Sequence, residues 1–145
     1  MLGDLFSLGY ANLHGPDDLR DLLHDTRVDT IFDVRLQPWG RAPWNGPHAT
    51  RLLVEAAGCH YAAAPALGNL AYRRGGIEIK DIEAIEDVLN ALRAGRGVAL
   101  LCVCANAAGC HRSVLAEEAV RREPGLRVVH LPVRPLVGFL PPQPD

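Results

Sequence analysis

Residues 98–113 read VALLCVCANAAGCHRS, an apolar run followed by a loop of small residues and a short polar stretch. Residues 98–103 have the length of a strand and carry no charge, as is typical of a strand buried on both faces of a sheet. A helix is predicted from Ser113 to Arg122, before Pro124 and Gly125 end it. A buried strand followed by a loop and a helix is typical of an α/β domain.

The same alternation runs through the rest of the chain. Strands are predicted at residues 4–9, 30–34, 60–63 and 128–131; helices are predicted from Pro16, over residues 49–57, and over 82–92 with Asp81 as the N-cap. Residues 36–47 and 65–76, interrupted by proline or glycine, are predicted to be irregular. The sequence therefore predicts a single three-layer α/β domain over residues 1–131, with a mainly parallel sheet of about five strands and helices on both faces. Residues 132–145 form a proline-rich C-terminal tail.

Length and composition exclude several classes of protein. The chain has 145 residues, of which 48% are apolar and 22% charged, with a formal charge of −2. General polyanion binders are usually strongly basic, so only local basic clusters are expected to contact phosphate. The first apolar stretch contains Asp4, unlike a signal peptide, and the longest uncharged run is shorter than the roughly 20 residues that cross a bilayer. We expect a cytoplasmic protein with no membrane partner, and its four cysteines are expected to be buried thiols, metal ligands or reactive groups rather than a disulfide framework. The oligomeric state stays open.

The loop that ends at Ser113 is predicted to bind an anion. Ligands of parallel sheets bind beyond the carboxyl ends of the strands, which gathers residues 10–12, 33–35, 67–69 and 102–113 at one edge. Free amides at a helix start, the helix dipole and the guanidinium of Arg112 attract anions, and Ser113 adds a hydroxyl donor. Alternatively, Arg112 pairs with an acid and Ser113 only caps the helix.

Cys110 and His111 are candidate catalytic residues. A helix N-terminus and nearby cations lower the pKa of a thiol, and histidine is the usual acid–base group near neutral pH. In cysteine phosphatases an arginine follows the nucleophile by six residues, whereas Arg112 follows Cys102 by ten, Cys104 by eight and Cys110 by two. That spacing argues against the phosphatase mechanism. Cys110 could also be an apolar packing residue.

Asp33 and Arg35 lie on the same side of the second predicted strand, because side chains alternate along a strand. Asp33 is a candidate catalytic carboxylate and Arg35 a candidate ligand-binding group, or the two form a structural ion pair. Tyr10, Asn12 and Cys102 are further candidate ligand contacts, although Tyr10 and Asn12 could equally be turn residues.

A metal site is one alternative function. Zinc and iron accept thiolate and imidazole ligands, which this chain offers at Cys102, Cys104, Cys110 and His111. The paired Cys-x-x-Cys spacing of many zinc sites is absent. We therefore expect neither a metal ligand nor a cofactor.

A nucleic-acid-binding module in repair or RNA processing is the other alternative. Loop tryptophans can stack on bases while arginines contact phosphates. The residues that would do so are Arg35, Trp39, Arg41, Trp44, Arg73 and Arg74.

Several segments together resemble domain-of-unknown-function family 488. They are residues 7–12 (SLGYAN), 32–35 (FDVR), 66–68 (ALG) and the Cys-x7-Cys-His-Arg element at residues 102–112. The similarity extends over roughly residues 5–131. Cys104 is a departure, since an acidic residue is expected there, and residues 41–47 form a shorter and less basic loop than expected. If that acid takes part in catalysis or metal binding, this chain has lost or altered the function of the family.

The resemblance implies the α/β fold and a site at the sheet edge, but it names no reaction because the family's activity is not established. Its matching residues are Tyr10, Asn12, Asp33, Arg35, Cys102, Cys110, His111 and Arg112.

The leading hypothesis is a domain that binds a small anionic ligand, such as a nucleotide or another phosphate-bearing molecule. Arg112, Arg35 and the helix start at Ser113 would hold the anion, and His111 would transfer protons. The sequence does not decide whether the protein is an enzyme.

Overall fold

Five parallel strands form one sheet in the computed structural model, which describes residues 1–37, 44–104 and 106–131. The strands are β1 (Leu5–Gly9), β2 (Thr30–Asp33), β3 (His60–Ala63), β4 (Val98–Cys102) and β5 (Val128–Leu131). Their order across the sheet is β3-β2-β4-β1-β5, and each neighbouring pair is parallel. Val98 lies opposite Leu5 of β1 on one side and Thr30 of β2 on the other. Every residue of β1 and β4 is buried, which explains why both strands read as nearly continuous apolar runs.

Two pairs of helices cover the two faces of the sheet. They are α1 (Pro16–Asp25), α2 (Pro47–Ala56), α3 (Ile85–Arg93) and α4 (His111–Arg122). α1 packs near α2, and α3 packs near α4. Leu100 of β4 belongs to the core under α3 and α4, and its neighbour Leu101 belongs to the core under α1 and α2. The three-layer α/β prediction is therefore confirmed, and alternation along β4 joins the two cores.

A crevice forms where the chain changes direction across the sheet. The connection after β2 runs through α2 to the edge strand β3. The connection after β4 runs through α4, on the opposite face of the sheet, to the other edge strand, β5. Because β2 and β4 are neighbours, the loops that follow them diverge. Diverging loops at the carboxyl edge of a parallel sheet are the usual place for a ligand.

Several element boundaries differ from the sequence predictions. α4 begins at His111, two residues before the predicted start, because Cys110 takes the extended N-cap conformation with φ −113° and ψ 149°. β4 ends at Cys102, one residue early. The carboxylate of Asp81 does accept an amide hydrogen bond from Glu83, but it caps a 3-10 turn that leads into α3.

Some predictions fall outside the described residues. The tail at residues 132–145, Trp39 and Arg41 belong to this group. Within the ranges that the structure does describe, no helix has both the length and the apolar character needed to cross a membrane.

Candidate functional site

A cavity of about 740 Å³ lies at the carboxyl edge of the sheet. Tyr10 after β1, Arg35 after β2, and the pair Cys110 and His111 at the start of α4 contribute to its wall. Residues 69, 70 and 72–76 line the cavity as well and bring Arg73 and Arg74 to it. Among the described residues that line it there is no aspartate or glutamate, so the ionised side chains of the wall are positive apart from any thiolate.

Cys110 is the thiol most easily ionised in this site. It caps α4, is 1% exposed, and has its Sγ 2.8 Å from the Sγ of Cys102 and 3.7 Å from Nδ1 of His111. Hydrogen bonding from Cys102 is the largest cause that lowers the pKa of Cys110, and it outweighs burial, which raises the pKa. His111 and the backbone N–H of Arg112 lower this pKa further. A thiolate at a helix N-terminus is the usual form of a reactive cysteine.

The ring of His111 is held in one orientation. Its Nε2 lies 2.9 Å from the carbonyl oxygen of Val34. Because a carbonyl only accepts hydrogen bonds, Nε2 carries a proton and donates it, which leaves Nδ1 facing the sulfur of Cys110. This assignment follows from the hydrogen-bond partners. Nδ1 can therefore accept the thiol proton of Cys110.

The other two thiols near Cys110 stay protonated. The hydrogen bond to Cys110 and burial both raise the pKa of Cys102, while the guanidinium of Arg112 opposes them. Burial and the proximity of Cys110 raise the pKa of Cys104. Ionisation of this cluster is therefore favoured at Cys110 rather than at Cys102 or Cys104.

Arg112 lies beneath the loop that follows β4. The residue is 1% exposed; its Nε donates to Ser7 Oγ at 2.9 Å, and one terminal nitrogen donates to the carbonyl oxygen of Cys104 at 2.5 Å and to Cys102 Sγ at 3.3 Å. Ser7 in turn hydrogen-bonds His130 of β5. Arg112 is not part of the cavity wall. Anion contact by Arg112 stays a prediction, and the geometry gives this side chain a positioning role.

Ser113 contacts the loop from inside the first turn of α4. Its Oγ donates to the carbonyl oxygen of Cys110 at 2.8 Å, and its backbone N–H donates to the same oxygen. Ser113 and Asn12 are both absent from the described cavity wall, so ligand contact by either residue stays a prediction.

Asp33 and Arg35 form a buried ion pair. Nε and a terminal nitrogen of Arg35 donate to the two carboxylate oxygens at 2.8 Å and 2.6 Å. The hydroxyl of Tyr61 also donates to Asp33, and Arg35 donates to the carbonyl oxygen of Asn45. Burial acts to lower the pKa of Arg35, but the hydrogen bonds and charge of Asp33 outweigh it, so this pKa is raised. Asp33 thus neutralises a cation that reaches the cavity wall.

Two aromatic rings pack around this ion pair. The ring centroid of Tyr10 lies 5.3 Å from Cζ of Arg35, and Trp44 meets Tyr10 edge-on with 6.5 Å between centroids. Trp44 also packs against the core under α1 and α2. Of the side chains proposed to contact nucleic acid, Arg35 is thus buried in an ion pair, and the exposed cations at this edge are Arg73 and Arg74.

Cys102, Cys110 and His111 also form a potential metal-binding cluster, with ligand atoms within 4.8 Å of one another. Two thiolates on one tetrahedral zinc ion, at about 2.3 Å from the metal, are roughly 3.8 Å apart. The observed 2.8 Å between the sulfurs is much shorter, and the guanidinium of Arg112 lies 3.3 Å from Cys102. This geometry suits a hydrogen-bonded thiol and thiolate better than a bound cation.

Three supporting residues were missed at the sequence level. Ser7 holds Arg112, Tyr61 holds Asp33, and the side chain of Asn69 bonds Ala71, Gly76 and Glu78 to shape the cavity segment. Only Ser7 gave a sequence signal, since it is a polar residue inside an apolar strand.

Part of the chain matches a known family model. Residues 71–122 match the family model described as "DUF488-N3a: Active DUF488-N3 subclade". The matched segment contains α3, β4 and α4, and with them Cys102, Cys110, His111 and Arg112. No curated protein matches the chain.

Proposed function

The match over residues 71–122 supports assigning this chain to the DUF488 family, and from the geometry of its site we propose that the domain binds a small anionic ligand. The thiolate of Cys110 attacks this ligand. The observation that carries the proposal is the position of Cys110, which caps α4 in the wall of a cavity lined by arginines. A phosphate-bearing molecule such as a nucleotide is the ligand class we favour.

The size and charge of the cavity support a small anion. Its volume of about 740 Å³ lies in the usual range of small-molecule sites. Arg35 is neutralised by Asp33, so the charge available to a ligand comes from Arg73 and Arg74. The side chain of Arg74 is 69% exposed and shares an exposed ion pair with Glu78, which water screens strongly. Tyr10 and Arg35 would contact the uncharged part of the ligand.

The chemistry follows from the pairing of Cys110 with His111. Nδ1 of His111 accepts the thiol proton, which yields a thiolate and an imidazolium ion. The sulfur then forms a bond to an electrophilic atom of the ligand while the bond to the leaving group breaks. The leaving group keeps the electron pair and takes the proton from Nδ1.

Alkylation with a neutral and an anionic reagent tests both halves of this proposal. Iodoacetamide and iodoacetate are reacted with the protein at about pH 6, well below the ordinary thiol pKa of about 8.5, and the labelled peptides are quantified by mass spectrometry. Because its pKa is lowered, Cys110 keeps its thiolate as the pH falls, and we expect it to be labelled before the other cysteines. The pKa of Cys59 is raised by burial, so Cys59 serves as the internal reference.

Removing the cavity cations separates charge from reactivity. In Arg73→Gln/Arg74→Gln the iodoacetate rate at Cys110 should fall several-fold, while the iodoacetamide rate stays unchanged. The matched control Arg121→Gln/Arg127→Gln removes two exposed arginines that do not line the cavity. Labelling of Cys110 no faster than Cys59 would refute the nucleophile, and an iodoacetate rate indifferent to Arg73 and Arg74 would refute anion selection.

A further inference from the structure

Cys102 lies directly against the proposed nucleophile. It ends β4, Cys110 caps α4, and the loop between them brings the two sulfurs to 2.8 Å. A disulfide bond is about 2.05 Å long, so joining these sulfurs needs a displacement of less than about 1 Å. Both side chains are free thiols in the described structure.

The two thiols differ in their access to the cavity. Both residues are 1% exposed, but Cys110 is part of the cavity wall and Cys102 does not line it. A reagent in the cavity therefore meets Cys110 first, and Cys102 can attack only a group already bonded to Cys110.

Arg112 favours ionisation of Cys102 after Cys110 has reacted. In the resting site Cys102 donates its proton toward the Cys110 thiolate, which favours the thiol form of Cys102. Once Cys110 is no longer an anion, that acceptor is lost, and the guanidinium 3.3 Å from Cys102 still favours the thiolate. A cysteine attacks the sulfur of an oxidised partner cysteine as its thiolate.

We propose that Cys102 and Cys110 form a redox-active pair in which Cys110 reduces a hydroperoxide in the cavity and Cys102 resolves the product. This inference rests on the proposed role of Cys110 as the nucleophile. The Cys110 thiolate attacks the terminal oxygen of the hydroperoxide and the O–O bond breaks; sulfenic acid forms, and the departing alkoxide, or hydroxide from hydrogen peroxide, takes the proton from Nδ1 of His111. Cys102 then attacks the sulfenic sulfur as a thiolate; the S–O bond breaks, and the departing hydroxide takes up the proton that Cys102 has released, so that a disulfide and water form. Peroxide gains the two electrons that the two thiols lose, and a dithiol reductant restores the pair.

Cys104 is the competing candidate for the resolving thiol. It lines the cavity, is partly buried, and lies close enough to influence the pKa of Cys110. Its pKa is raised mainly by burial, and Arg112 contacts its carbonyl group, whereas the guanidinium directly contacts the sulfur of Cys102. This contact favours Cys102 over Cys104.

The test treats the full chain with stoichiometric hydrogen peroxide, blocks the remaining thiols with N-ethylmaleimide, and analyses tryptic peptide 97–112, which carries all three thiols. In the wild type and in Cys104→Ser, the peptide should contain a Cys102–Cys110 disulfide that dithiothreitol reverses. In Cys102→Ser, and in Cys102→Ala as a second variant, no such disulfide forms, and trapping of Cys110 sulfenic acid by dimedone should rise about tenfold. Circular dichroism verifies that each variant is folded.

Three results would overturn the inference. A disulfide that survives in Cys102→Ser but is lost in Cys104→Ser makes Cys104 the resolving thiol. Zinc bound at one equivalent, with both Cys102 and Cys110 protected from N-ethylmaleimide, makes the pair a metal site. A wild type that forms no disulfide while iodoacetamide still labels Cys110 removes the redox pair and leaves the proposed nucleophile standing. Failure of iodoacetamide labelling, by contrast, removes the proposed function itself.

Discussion

At the scale of single residues, the site depends on how each buried negative charge is stabilised by its neighbours. Cys110 is the thiol whose ionised form is stabilised, because its neighbours donate hydrogen bonds to it. Asp33 is the second buried anion, and it has a full partner in Arg35. The thiolate of Cys110 is available for chemistry, while the carboxylate of Asp33 holds Arg35 in the cavity wall.

Asp33→Asn should destabilise the protein strongly. The change leaves the charge of Arg35 buried, with the side chains of the pair 2% and 0% exposed, and breaking such a pair costs about 3–5 kcal/mol. Urea unfolding followed by circular dichroism measures the loss. Glu78→Gln is the matched control, since its ion pair with Arg74 is exposed and such pairs contribute about 1 kcal/mol or less. Equal losses in the two variants would show that Asp33 is not a buried partner of Arg35.

At the scale of elements, the end of β1 sets the position of the loop after β4. Gly9 is the last residue of β1, and an added Cβ there would lie 1.7 Å from the carbonyl oxygen of Cys104 and 2.7 Å from a terminal nitrogen of Arg112. Without a side chain at Gly9, the loop approaches the strand and Arg112 reaches Ser7. Glycine is required at position 9 because two backbones approach closely there, and not because the backbone angle is unusual.

Gly9→Ala should therefore disturb both stability and reactivity. Overpacking of a buried contact costs about 1–3 kcal/mol, and a shift of the loop should slow alkylation of Cys110. Gly125→Ala is the control, because nothing lies within 4 Å of the added Cβ. Denaturant unfolding and the iodoacetamide rate are measured on the same samples. If Gly9→Ala matched the control in both, loop position would not depend on β1.

At the scale of the whole molecule, the two cores share the strands of one sheet. Leu100 and Leu101 of β4 face opposite layers, and β1 divides its side chains in the same way. Loss of packing in one layer therefore removes support from the other, and the cavity at the sheet edge depends on both.

Leu89→Ala tests this coupling. The side chain is 0% exposed in the core under α3 and α4, and its truncation should cost about 2–5 kcal/mol. Trp44 packs on the other layer, and Trp39→Phe leaves it as the single tryptophan of the chain. In that background, the unfolding transition followed by Trp44 fluorescence should occur at the same lowered temperature as the transition followed by circular dichroism. A Trp44 transition unmoved by Leu89→Ala would mean that the layers unfold separately.

The sequence alone determined the fold class and the edge of the sheet at which the candidate site is expected. Apolar runs at residues 98–103 and 4–9, helical periodicity and glycine or proline boundaries are local signals, and the direction of parallel strands then gathers the loops. The pairing of Asp33 with Arg35 was an open alternative at that level, since alternation places them on one side of the strand.

Only the tertiary structure decided what each side chain faces. Arg112 bonds Ser7 across 105 residues, and Asp33 bonds Tyr61 across 28, so no local pattern could reveal either contact. The same holds for the 2.8 Å between the sulfurs of Cys102 and Cys110, because the path of the loop over Gly9 sets it. Local sequence encodes periodicity and chain direction, whereas hydrogen-bond partners and the choice of the ionised thiol depend on packing between distant segments.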